Sequence, residues 1–157
     1  MASTRSLHDT PSATANPPAA LLGWRTLALF YDFWPAAAMW MAAAAGFLLA
    51  HGSRPLAAFS ALQWLLWLLC WLLTGGYAVV SWRRGGQTLG MRPWRLRVFA
   101  ADGGAPTWRA ALVRYLVGTA SLLLGGLGFW WAWIDRDRLT WHDRASGTRV
   151  RRESKRA

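Results

Sequence analysis

One carboxylate stands inside the first long apolar run of the chain, and its type and position could support chemistry. Asp32 is the only charged residue between Thr26 and Ala50. A lone carboxylate in hydrocarbon costs on the order of 3 kcal/mol on insertion scales, so it must be protonated, hydrated or paired. Carboxylates at such depth often exchange protons or cations. Asp32 is therefore either an ion-exchanging group or one half of a structural ion pair.

Two arginines are candidate partners for this carboxylate. Arg25 precedes Asp32 by seven residues, so on a helix both project from nearly the same face, with Asp32 ~10 Å deeper. Arg25 is expected at the membrane interface, from which its long side chain can reach partway inward. Arg114 lies near the start of a later apolar run. We expect Arg114 to be the partner of Asp32 from another helix.

The elements that must position these charges are apolar. The apolar residues gather into three long runs, 26–50, 56–82 and 110–134. The first two are long enough to cross a bilayer core of ~30 Å at ~1.5 Å per residue. The third is interrupted at Gly125–Gly128. The pattern predicts an all-α membrane protein with two full transmembrane helices and a third, glycine-interrupted segment that either spans or re-enters. The alanine-rich second half of the first run is expected to pack against another helix.

The remaining segments are polar. Residues 1–21 are predicted to be a disordered tail, 22–151 the membrane domain and 152–157 a basic tail. Between the second and third runs, alternation over Arg95–Phe99 followed by Asp102-Gly103-Gly104 predicts a small cytoplasmic hairpin. Thr107 is expected to cap the next helix.

The charge distribution constrains orientation. The net charge is +11, and the basic residues flank apolar runs, which favours an anionic lipid bilayer as partner and argues against nucleic acid. Residues 83–109 hold six arginines, and the segment after residue 134 holds seven arginines and Lys155. A simple third span would place these regions on opposite sides of the membrane. A break at Gly125–Gly128 with a return would keep both regions and the N-terminus in the cytoplasm, and we favour this form over the simple span.

Enzymatic chemistry is not indicated. The sequence contains no nucleophile–base pair and no metal-ligand spacing. Its three histidines are scattered, at His8, His51 and His142. The stretch Gly85–Gly90 lacks the lysine and the strand–helix context of a phosphate loop. We expect no catalytic residues, no metal and no cofactor.

Three motifs surround the apolar runs in a fixed order. They are Trp24–Asp32, Gly85–Arg92 and Trp141–Thr148. Together they resemble the RDD family of small bacterial membrane proteins, named for one arginine and two aspartates, which the match places at Arg25, Asp32 and Asp143. The other matched motif residues are Gly86, Gln87, Thr88, Gly90, His142, Arg144, Gly147 and Thr148. The chain departs from the family at Met91, where a lysine is common, and in its 13 tryptophans.

The resemblance implies a multi-pass protein of the bacterial cytoplasmic (inner) membrane. A role in transport has been suggested for the family, and some members are linked to sodium/proton exchange. Two hypotheses remain open. The first is a structural or accessory protein with a buried arginine/aspartate network that serves a second copy or another membrane protein. The alternative is a cation/proton transport component that uses Asp32.

Overall fold

The computed structural model of the protein describes residues 20–52 and 56–153. The elements in chain order are α1 (Ala20–Ala50), α2 (Ala61–Gly85), β1 (Leu96–Ala100), α3 (Trp108–Leu123), α4 (Leu127–Ile134), α5 (Trp141–Ser146) and β2 (Thr148–Arg152). The predicted disordered tail falls almost entirely outside the described residues, although its last two positions belong to α1.

Helices α1 and α2 correspond to the two predicted membrane spans. Their apolar stretches of 30 and 25 residues are both long enough to cross a bilayer. Helix α1 continues without interruption through Pro35. Helix α2 begins five residues later than the apolar run because Ser60 caps it, with its Oγ accepting a hydrogen bond from the Gln63 N–H at 3.2 Å.

The third apolar run is broken, as its glycines predicted. Helices α3 and α4 meet at an angle of 97°. Gly125 and Gly126 have φ angles of 70° and 80°, a left-handed conformation that glycine adopts without a steric cost. Gly126 donates its N–H to the Ser121 carbonyl at 2.8 Å, which closes the end of α3. At the other end Thr107 caps α3 as expected, accepting from the Ala110 N–H at 3.1 Å.

The predicted hairpin after residue 95 is wrong in its pairing. Strand β1 forms, and the turn that follows is closed by a 2.9 Å hydrogen bond from the Gly103 N–H to the Ala100 carbonyl. The partner of β1, however, is the distant strand β2, antiparallel, with Val98 opposite Val150. Leu96, Val98 and Val150 share one face, which packs against Ala28 of α1. Burial of that face against α1 selects the partner, and local turn chemistry does not.

Strand β2 spans Thr148–Arg152, so Arg152, the first residue of the predicted basic tail, belongs to a strand. Residues 154–157 of the predicted basic tail lie outside the described residues. Strand β1 belongs to the loop between α2 and α3, and β2 follows α5. The two basic regions therefore lie at the same end of the helices, which supports the returning form of the third segment over a simple span.

The alanine-rich half of α1 packs within one chain only in part. Ala36, where that half begins, is buried, as is Ala28 before it. Ala42, Ala45 and Gly46 are exposed and contact no other described helix closely enough to be covered. In the single chain this surface is thus left to lipid or to another protein.

The sheet pairing makes a labelling prediction. In a Cys70→Ala background, single cysteines at exposed Ala101 and Arg149 should react with an impermeant maleimide from the same side of the membrane, since β1 and β2 pair. A cysteine at exposed His51, at the opposite end of α1, should react from the other side. Labelling of Ala101→Cys and Arg149→Cys from opposite sides would contradict the fold.

Candidate functional site

The most buried charged group in the described chain is the carboxylate of Asp143. Its side chain is 0 % exposed and lies between two arginines. Arg25 of α1 places Nη1 2.6 Å from Oδ2, and Arg114 of α3 places Nη1 2.5 Å from Oδ1. The side chains of these arginines are only 9 % and 5 % exposed. One carboxylate thus joins α1, α3 and α5 in a space from which water is nearly excluded.

The chain around Asp143 is folded to hold this geometry. Thr140 and Asp143 form a capping box at the start of α5, in which the Thr140 N–H donates to Asp143 Oδ2 at 3.3 Å. Gly147 ends α5 with a left-handed φ of 61° and turns the chain into β2. Thr148 then accepts a 2.8 Å hydrogen bond from Arg114 Nη1. The motif Trp141–Thr148 therefore forms a short helix and turn that supplies both hydrogen-bond acceptors of Arg114 Nη1.

Asp32 forms a second and separate polar centre. Its Oδ1 accepts hydrogen bonds from the Tyr77 hydroxyl at 2.9 Å and from the Gly90 N–H at 2.8 Å. Its Oδ2 accepts from the Thr88 hydroxyl. The predicted pair between Asp32 and Arg114 is therefore wrong. Arg114 pairs with Asp143, and its guanidinium carbon lies 5.3 Å from the centre of the Trp82 ring. Asp32 lies two helical turns beyond Arg25 on α1 and contacts the loop after α2.

The loop after α2 fits closely against α1 at Gly90. A Cβ atom at this position would overlap the Ala28 carbonyl oxygen and would lie 2.7 Å from the Asp32 backbone nitrogen. Only glycine permits that approach. On the other side of the loop, Gln87 Nε2 donates to the Leu96 carbonyl at 2.8 Å, and the Val98 N–H donates to the Gly86 carbonyl at 2.8 Å. The Gly85–Arg92 motif thus links Asp32 to β1.

The three motifs of the sequence form these two polar centres, and the model of the RDD family matches residues 19–147. The chain belongs to the RDD family. The resemblance carried by the motifs is confirmed, and with it the assignment as a membrane protein with apolar helices. No curated protein and no solved structure matches the chain.

Among the residues that the family motifs identified, Arg25 and Asp143 meet directly and Asp32 stands apart. In this RDD protein the exposed Arg144 pairs with the buried Asp135 at 2.8 Å. Sequence reasoning missed Tyr77, because a tyrosine within an apolar run gives no signal of its own. The Thr88 hydroxyl and the backbone N–H of the loop glycine Gly90, by contrast, could have been recognised from the sequence as donors to a carboxylate.

His142 is buried beside the Asp143 centre. Its ring packs on Phe129 at a centroid distance of 4.8 Å, and Nε2 lies 4.0 Å from Asp143 Oδ1. Burial, together with the charge of Arg114, lowers the pKa of His142 to about 3, so the ring is neutral at pH 7. Burial alone would raise the pKa of Asp143, but Arg114 and Arg25 outweigh it and hold that pKa well below its usual range.

Both centres border one cavity of about 200 Å³. Arg25 and Asp32 contribute to its wall from α1, Tyr77 from α2 and Arg114 from α3. Most of the remaining wall is apolar. Within residues 20–52 and 56–153, no cluster of His, Cys, Asp or Glu side chains is arranged to hold a metal ion. This cavity is where the chain could take up a ligand or an ion.

The contact at Gly90 predicts a local stability effect. Gly90→Ala should lower the free energy of unfolding by about 1–3 kcal/mol, because the added methyl group overpacks against α1. Gly85→Ala is the matched control, since a Cβ there meets nothing within 4 Å. Thermal unfolding in detergent measures both variants. Equal midpoints for the two would show that the loop does not press on α1.

The buried histidine predicts a pH dependence. An unfolded chain protonates His142 near pH 6.5, whereas the folded chain keeps it neutral down to about pH 3. Between these values the unfolded state binds more protons, so the free energy of unfolding should fall as the pH falls, by about 1 kcal/mol per unit. Unfolding midpoints measured from pH 7.5 to 5 should show this slope, and His142→Phe, which keeps the packing on Phe129, should flatten it. Parallel curves would refute this assignment.

Proposed function

We propose that this RDD protein is a structural or accessory protein of the bacterial cytoplasmic (inner) membrane, whose arginine/aspartate centre fixes its helices for a partner. The observation that carries the proposal is the complete burial of Asp143 between Arg25 and Arg114. A group that transfers ions must meet water and exchange partners during its cycle. Asp143 instead has both carboxylate oxygens in direct contact with guanidinium groups, which suits a fixed structural pair.

The high cost of removing one member of a buried ion pair supports this role. Removing one member of such a pair costs about 3–5 kcal/mol, because the other charge is left buried and unpaired. Here the loss of one carboxylate would leave two guanidinium groups unpaired. The ion pairs therefore act against any arrangement in which α5 leaves α1 and α3.

The surface of the chain suits such a partner role. Large side chains on α2 such as Trp64 and Trp67 are more than half exposed, and Ala42, Ala45 and Gly46 of α1 are exposed as well. Close approach of helices in lipid uses small residues of this kind. The partner we propose is a second copy of the chain or another membrane protein. Because short basic segments remain in the cytoplasm, we place the sheet and the N-terminus there, against anionic lipids.

Asp32 supports a second candidate, a cation/proton transport component. Its carboxylate accepts hydrogen bonds only from uncharged donors among the described residues. It also borders the cavity. A carboxylate without a fixed cation beside it can bind and release a proton or a metal cation.

One pair of variants separates the two candidates. Under the structural proposal, Asp143→Asn should lower the unfolding free energy by about 3–5 kcal/mol, and wild-type protein in vesicles should show no proton flux in response to sodium or potassium gradients. Asp32→Asn should then cost less, since neutral donors surround it. A cation-dependent flux in wild-type vesicles that Asp32→Asn abolishes without loss of folding would overturn the structural proposal in favour of transport.

A further inference from the structure

The cavity that α1, α2, α3 and α5 border is lined mostly by apolar residues. Its volume of about 200 Å³ exceeds the ~150 Å³ that holds a benzene molecule in an engineered protein cavity. Leu29, Ala78, Leu122 and Phe129 are among the apolar residues of its wall. The volume and the lining suit a segment of alkyl chain.

One side of the same cavity is formed by side chains that carry buried nitrogen atoms without a hydrogen-bond partner. Within the described residues, the hydrogen bonds of Arg25 and Arg114 to their partners all use Nη1. The Nε atoms of both arginines are buried and have no partner, and neither has Nδ1 of His142, a residue only 5 % exposed. A buried donor without an acceptor costs about 1–3 kcal/mol. All three side chains lie in the cavity wall.

The free edges have a defined chemistry. The edge of a guanidinium formed by Nε and Nη2 presents two parallel N–H groups, which match the oxygens of a carboxylate or a phosphate. Two arginines and one aspartate leave one positive charge in excess at this centre. Asp32 lies ~10 Å away along α1 by helical rise, and its oxygens already accept three hydrogen bonds. The arginine side of the cavity therefore suits an anion.

We propose that this cavity binds an amphiphile with a single alkyl chain and an oxyanion head, with the head at Arg25 and Arg114 and the chain among the apolar residues. This inference does not depend on whether the protein is an accessory protein or a transport component. The oxyanion chemistry is shared by the carboxylate of a free fatty acid and the phosphate of a lipid. Ligands with the same chain and different heads distinguish these sources.

The first test compares heads on a fixed chain. Delipidated full-length protein in a mild non-ionic detergent is titrated with decanoate, decyl phosphate, decanol and decyltrimethylammonium, and bound copies are counted by native mass spectrometry. One decanoate or one decyl phosphate per chain is expected, and the tighter of the two identifies the head. Decanol should bind about tenfold more weakly, as the loss of a charged hydrogen bond implies. Equal binding of decanol or of the ammonium compound would overturn the proposal.

The second test fills the cavity without touching the charges. Gly118 lies in the cavity wall, and a Cβ added there meets nothing within 4 Å. Gly118→Leu should therefore fold and lose at least tenfold in decanoate affinity. Gly76→Leu is the matched control, because it also has free space but stands on the exposed side of α2 outside the cavity. Unchanged decanoate binding by Gly118→Leu, with a wild-type unfolding midpoint, would show that the chain does not enter the cavity.

Discussion

A carboxylate that is removed from water must regain, from the protein, the charge and the hydrogen bonds that water supplied. Asp143 regains them from Arg25 on α1, from Arg114 on α3 and from the backbone of its own capping box. These groups come from three separate parts of the sequence, so α5 has one position in which all are satisfied. The bend between α3 and α4 and the pairing of β2 with β1 are both compatible with that position.

Helix α1 carries the two centres on one face. Seven residues separate Arg25 from Asp32, which is close to two turns. Eighteen residues then remain to Ala50, a length of ~27 Å that nearly equals the hydrocarbon thickness. Asp32 therefore lies near one edge of the apolar span and not at its middle. Its neutral donors, Tyr77, Thr88 and Gly90, are sufficient at such a depth, whereas the fully enclosed Asp143 requires two cations.

The parts of this fold that were predictable from sequence depend on local physics. The two spans follow from length and apolar composition, the break from glycines that tolerate positive φ, and the start of α3 from the cap at Thr107. The parts that were not predictable depend on docking. Leu96, Val98 and Val150 alternate as strand residues should, but only the packed α1 shows that β1 and β2 share a core.

The assignment of Arg114 illustrates the same limit. Asp32 and Asp143 are both plausible partners by sequence, and a helical arginine can reach either one. The choice is made by Trp82, over which the guanidinium stacks, and by Thr148, which accepts from the same Nη1 that contacts Asp143. The family motif singled out Asp143, but it could not state which arginine would meet it.

A fixed ion pair and a binding surface are compatible in this arrangement. Asp143 engages Nη1 of both arginines and so orients their planar groups without consuming their Nε donors. An arginine held in this way loses little conformational entropy when an anion arrives, because its rotamer is already set. The contact of Asp143 with Arg25 and Arg114 thus joins three helices and also orients the two arginines that border the cavity. Fixed guanidinium groups would give this side of the cavity its selectivity for an oxyanion.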